Sequence, residues 1–78
     1  MPKNQLLTEK DLAALAKQYR LKANKTRNEA GRELNVSHVS IHRAEENPEE
    51  SLLKLRIRMI EAYSPFTVTG PVFYLGKK

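Results

Sequence analysis

Helix-start signals recur at short intervals along this chain, and their spacing limits most of its helices to two to four turns. Thr8 precedes Glu9 and Asp11, acids that are favourable at a helix N-terminus. Thr26 is followed three residues on by Glu29, the pattern of a capping box. Ser37 comes next. Asn47-Pro48-Glu49-Glu50 then combines a cap, a proline suited to the first helical position and two first-turn acids.

Apolar periodicity fills the intervals between these signals. Leu12, Leu15, Ala16 and Tyr19 form one stripe on a helix ending near Lys22. A second helix is expected to run through Leu34, with Asn35 as a residue that tolerates the left-handed exit. A third spans His38 to Glu46 with Ile41 and Ala44 inward. The fourth is expected to open at Asn47-Pro48 and to end at Tyr63, before Ser64-Pro65, carrying a wide stripe of Leu52, Leu53, Leu55, Ile57, Met59, Ile60, Ala62 and Tyr63. Beyond Pro65 the period changes to alternation in Phe66-Thr67-Val68-Thr69, and Val72-Phe73-Tyr74-Leu75 is β-prone.

The expected fold is mainly α, with four to five short helices containing a helix-turn-helix and a short C-terminal β strand or hairpin available to pair across a dimer. Residues 1–63 would form the helical part and 64–78 a β tail of the same domain. A chain of 78 residues has room for one small core. It holds no cysteine, so disulfides and thiolate metal sites are excluded. Met1-Pro2-Lys3-Asn4 lacks the apolar core of a signal peptide and no stretch has membrane-spanning length, which points to a cytoplasmic protein with no membrane partner.

Charge narrows the function. The net charge is +5, a balance suited to meeting a polyanion. Lys17, Arg20, Lys22, Lys25, Arg27 and Arg32 face a single acid, Glu29, in their stretch, whereas Glu45, Glu46, Glu49 and Glu50 cluster further on. The informative segment is Thr26 to Asn47. Two helices that cross closely need a tiny residue at the contact, and Gly31 supplies it despite a cost of roughly 1 kcal/mol in a helix interior. The turn needs a left-handed residue, an apolar plug and a cap, roles filled by Asn35, Val36 and Ser37. Ala30, Leu34, Val36, Ile41 and Ala44 then point inward, leaving His38, Val39, Ser40, His42 and Arg43 outward.

This segment resembles the lambda-repressor and Cro-like (XRE-type) family of helix-turn-helix regulators, over about residues 8 to 63 in helix order and most sharply over 26–47. Asn35 stands where the family more often has glycine. The resemblance implies base reading in the major groove by His38 and Val39, at the start of the third helix, and by Arg43 one turn later. It also implies backbone contact at Ser40, and at Arg27 contact with the phosphates or a neighbouring side chain.

The side chains suit those tasks independently of any family. Arg43 has the fork geometry for guanine O6 and N7, worth ~1–3 kcal/mol, and Val39 suits a thymine methyl. Lys22, Lys25, Arg27 and Arg32 would hold phosphates and set register, and His42 is expected at the backbone beside Ser40, whose backbone contact the resemblance implies. His38 and His42 have the spacing of a metal clamp, and Glu45 or Glu46 could follow, but a tetrahedral site wants three or four convergent ligands and no cysteine is available, so no metal and no cofactor are expected. Serine beside histidine hints at a nucleophile, yet the chain has one aspartate and little volume for a pocket, so no catalytic residue is expected.

One small reader contacts few base pairs, and specificity usually comes from two half-sites. A homodimer is therefore expected, with Met59, Tyr63, Phe66, Val68, Val72 and Tyr74 as its interface. The sequence thus points to a sequence-specific double-stranded DNA-binding regulator, most simply a homodimeric repressor of its own gene reading a palindromic operator. The alternative is an antitoxin-type module whose C-terminal region binds a protein partner.

Overall fold

The computed structural model describes residues 7–69 and 74–77. Four helices, α1 (Glu9–Lys22), α2 (Arg27–Leu34), α3 (His38–Glu46) and α4 (Leu53–Tyr63), precede two short strands, β1 (Phe66–Thr69) and β2 (Tyr74–Lys77). Three of the four start signals act as expected. Thr8 and Thr26 each close a capping box, with Asp11 and Glu29 returning the bond to the cap's own backbone N–H, and the Ser37 hydroxyl accepts from Ser40 N–H. Asn35 adopts φ 61° and ψ 44° at the end of α2, as a left-handed exit requires.

The fourth start signal does not act. Asn47 ends α3 instead of opening α4, and α4 begins at Leu53 without a side-chain cap. The reason is Arg56, whose side chain is fully buried. Its Nε donates to the Ala44 carbonyl at 2.9 Å, one Nη to the Glu50 carbonyl at 2.9 Å and to Glu9 Oε1 at 3.1 Å, and the other Nη to the Asn47 carbonyl at 2.6 Å. Wrapping the 47–52 segment around this guanidinium satisfies three carbonyls and a buried charge together. A helix starting at Pro48 would have aimed the Asn47 and Glu50 carbonyls along its own axis.

The core lies between α1 and α4 and is closed by α2 and α3. Leu12, Ala16, Ala30, Ile41, Ala44, Met59 and Ile60 are fully buried, with Tyr19, Leu34 and Leu55 at its margin. The strands form an antiparallel hairpin within one chain, in the register Phe66 to Lys77 and Val68 to Leu75. Its apolar residues Phe66, Val68 and Leu75 pack on the helical core, and the Phe66 ring meets Tyr19 with centroids 6.2 Å apart. A two-stranded hairpin is marginal in water, and docking on α4 supplies what it lacks.

This placement bears on the proposed dimer surface. Met59 is inside the protomer, with no surface to offer a partner. Tyr63, Phe66 and Val68 are half-buried against their own core, and the Tyr63 hydroxyl donates to Glu33 Oε1 at 2.5 Å. Val72 and the side chain of Tyr74 lie outside the described residues. Among the described residues no helix is long and apolar enough to cross a membrane.

Candidate nucleic-acid interface

The α2–turn–α3 unit is set by one close approach. A Cβ on Gly31 would sit 2.7 Å from the Val36 carbonyl oxygen and 3.3 Å from the His38 nitrogen, so only glycine lets the start of α3 lie against α2. The Val36 N–H donates back to the Gly31 carbonyl at 2.8 Å, which closes the turn. Ile41, Ala44 and Glu45 then face inward, and the opposite side of α3 carries His38, Val39, His42 and Arg43. Val39 is half exposed, a large apolar residue left partly uncovered. The outward set on α3 is therefore the one expected, with Ser40 partly covered and hydrogen-bonded hydroxyl to hydroxyl with Ser37 at 3.0 Å.

Two carboxylates near the C-terminus of α3 tie it to α1 and α2. Glu45, buried, accepts from Arg20 Nε at 2.5 Å and Nη2 at 3.1 Å, and from Arg27 Nε at 3.1 Å. Arg20 is itself buried and donates to the Lys25 carbonyl at 2.7 Å, so all three members satisfy one another. Glu46 accepts from Lys17 at 2.7 Å and Arg27 at 3.0 Å, and Lys17 beside it holds its carboxyl below the usual range. Such a network adds little net stability, because desolvation offsets the attraction, but removing one partner is costly. It fixes the angle at which α3 presents its outer face.

These contacts also sort the cations expected to hold phosphates. Arg27 is committed to Glu45 and Glu46. Lys25 pairs with Glu33 at 2.8 Å, which raises its pKa and lowers that of Glu33. Lys22 sits over the Tyr19 ring at 5.8 Å, an arrangement that leaves an ammonium available to solvent and anions. Arg32 is exposed and forms no salt bridge among the described residues. Lys22 and Arg32 are thus the more available of the four. His42 is exposed and lies near Glu46.

Arg43 has a partner that sequence reasoning placed elsewhere. Its Nε donates to Glu50 Oε2 at 3.0 Å and its Nη2 to Glu50 Oε1, a two-pronged pair. Glu50 also accepts from Asn47 Nδ2 at 3.2 Å, and its N–H donates to the Asn47 carbonyl at 3.0 Å. Arg43 first and Asn47 second pull the Glu50 carboxyl down to about 2, so it is ionised throughout the neutral range. The sequence places Glu50 in the first turn of α4, but that helix starts at Leu53 and Glu50 lies in the turn before it.

Arg20 and Arg56 are both buried, which their contribution to the net charge does not foretell. A signal for both exists: Leu12, Ala16 and Arg20, and Leu52, Arg56 and Ile60, recur at the four-residue interval of one helix face. An arginine that continues an apolar row is placed to enter the core. Among the described residues no three histidines or carboxylates converge as metal ligands would. Comparison with known proteins finds no matching family model, no matching curated protein and no matching solved structure.

Proposed function

We propose that this chain is a sequence-specific double-stranded DNA-binding regulator of the lambda-repressor and Cro-like type, reading the major groove with α3. The observation that carries the reading is the outer face of α3, where His38, Val39, His42 and Arg43 are all exposed on a helix oriented by the Gly31 contact and the Arg20–Glu45–Arg27 network. A helix that spends a glycine and a buried ion pair on its orientation, and leaves an apolar residue outward, is suited to presenting that face to another molecule. The net charge of +5 favours a polyanion as that molecule.

In this reading the protein works in the cytoplasm as a homodimer whose two copies meet half-sites about 34 Å apart, and it represses its own gene. His38 and Val39 approach base edges, Arg43 grips guanine, and Lys22 and Arg32 hold phosphates. The deciding experiment is fluorescence anisotropy with the duplex upstream of the protein's own gene, against a scrambled duplex, at two salt concentrations. Tighter binding to the native duplex that survives the higher salt is the expected result. Weak and equal binding that vanishes with salt would overturn the proposal and move the search to a protein partner.

A further inference from the structure

We propose that Glu50 is a specificity-determining residue of the α3 surface: it holds the Arg43 guanidinium by one edge so that the other edge meets a guanine. This assignment rests on the DNA-reading role of α3 proposed above. A guanidinium carries five N–H donors in a plane. The Glu50 carboxylate takes those of Nε and the near side of Nη2. Nη1 and the far side of Nη2 remain, and among the described residues Nη1 makes no hydrogen bond. Those two nitrogens form the end-on fork that fits guanine O6 and N7.

A surface ion pair alone would be a weak argument, since exposed pairs hold side chains loosely. Here the carboxylate is anchored from behind. Its own main chain is pinned by the buried Arg56 through the Glu50 carbonyl at 2.9 Å, and the neighbouring Asn47 carbonyl is pinned by the same guanidinium at 2.6 Å. Asn47 holds one Glu50 oxygen through its side-chain amide. A chain of contacts thus runs from the core, through the 47–50 turn, to Glu50 and on to Arg43, whose own backbone lies on the fixed helix α3. The long arginine side chain is ordered before any duplex arrives, and the ordering cost otherwise met on binding is removed. The ligand class implied is a duplex carrying a guanine at one defined position in each half-site.

The test is selection from a randomised duplex library by the full chain, followed by competition binding. The unaltered protein is expected to enrich guanine at one position per half-site. Arg43→Lys, which lacks the fork, loses that preference. Glu50→Gln weakens it by roughly three- to tenfold, leaves the other positions unchanged, and binds unrelated duplex as tightly or more tightly because a negative charge has been removed. A merely structural role for Glu50 would lower all positions together, and urea unfolding of Glu50→Gln shows whether the fold is kept. Undiminished guanine preference in Glu50→Gln with tighter binding to every duplex would mark Glu50 as a competitor for Arg43 and overturn the inference. A selected sequence unaffected by Arg43→Lys would overturn it as well, while leaving the DNA-reading role of α3 standing. Failure of the unaltered protein to enrich any sequence would instead refute that role, and the inference with it.

Discussion

Replacing Arg56 with methionine keeps the stem and removes the charged head, and the structure sets the expected cost. Four hydrogen bonds are lost, to the carbonyls of Ala44, Asn47 and Glu50 and to the Glu9 carboxylate. A hydrogen bond to a charged group contributes about 1.5–3 kcal/mol, so the gross loss is roughly 6–12 kcal/mol. Two effects offset it. The guanidinium no longer has to be desolvated, which returns several kcal/mol, and water can reach the Asn47 and Glu50 carbonyls at the surface. The Ala44 carbonyl is buried and stays unpaired. The net is about 3 kcal/mol, close to what removal of one partner from a buried ionic contact costs. For a domain this size that corresponds to a midpoint of thermal unfolding lower by roughly 12–24 °C. Urea unfolding followed by helical circular dichroism measures it directly, with the midpoint moving by about 2–3 M at unchanged slope. A loss below about 1 kcal/mol would refute the claim that Arg56 organises the 47–52 segment, and with it the anchoring of Glu50.

Three further outcomes are expected. Gly31→Ala gains up to about 1 kcal/mol of helix propensity but forces a Cβ to 2.7 Å from the Val36 carbonyl, and overpacking against backbone costs about 1–3 kcal/mol. Chemical denaturation should therefore show a net loss, and any gain would mean that α3 is not held as described. Stability should fall on acidification, because Asp11, Glu29, Glu33, Glu46 and Glu50 all have pKa values lowered on folding. Their contribution is complete above the unfolded carboxylate range near 4.5 and is lost as pH drops, last for Glu50 near 2. Tyr63 and Lys25 are shifted up, so their contribution is present below pH 10 and is lost as pH rises beyond it. A urea midpoint that stayed level from neutral pH down to pH 2 would contradict the ion pairs. On DNA, Lys22→Ala and Arg32→Ala should each reduce the salt slope by about one. Arg27→Ala should instead lower the urea midpoint before it changes the slope, since Arg27 is held by Glu45 and Glu46.

The caps show what could be read in advance. Thr8 with Asp11, Thr26 with Glu29 and Ser37 with Ser40 are contacts between residues three apart, and residue identity at that spacing nearly dictates them. Gly31, Asn35 and Val36 were legible for the same reason, because a tight turn makes its demands on consecutive residues. The start of α4 was not. Asn47, Pro48 and Glu49 satisfy the local rules for a helix, but Arg56 competes for the same carbonyls from the far side of the turn. Met59 belongs to the wide apolar stripe of α4 yet is fully buried within its own chain. That width is consumed by a hairpin folding back on α4, a docking no periodicity reveals.

The sequence by itself therefore determined the three short helices α1 to α3, the turn between α2 and α3, and the set of side chains that α3 turns outward. Each of these is governed by interactions reaching no further than about one helical turn. Only the tertiary structure decided which charges are committed. Arg20 finds Glu45 across 25 residues and Arg56 finds Glu9 across 47, and such pairs form because burial makes an unpaired charge too costly to leave alone. Which cations stay clear of a carboxylate, and which edge of Arg43 stays open, likewise follow from pairings between separate elements, Arg27 with Glu45 and Arg43 with Glu50.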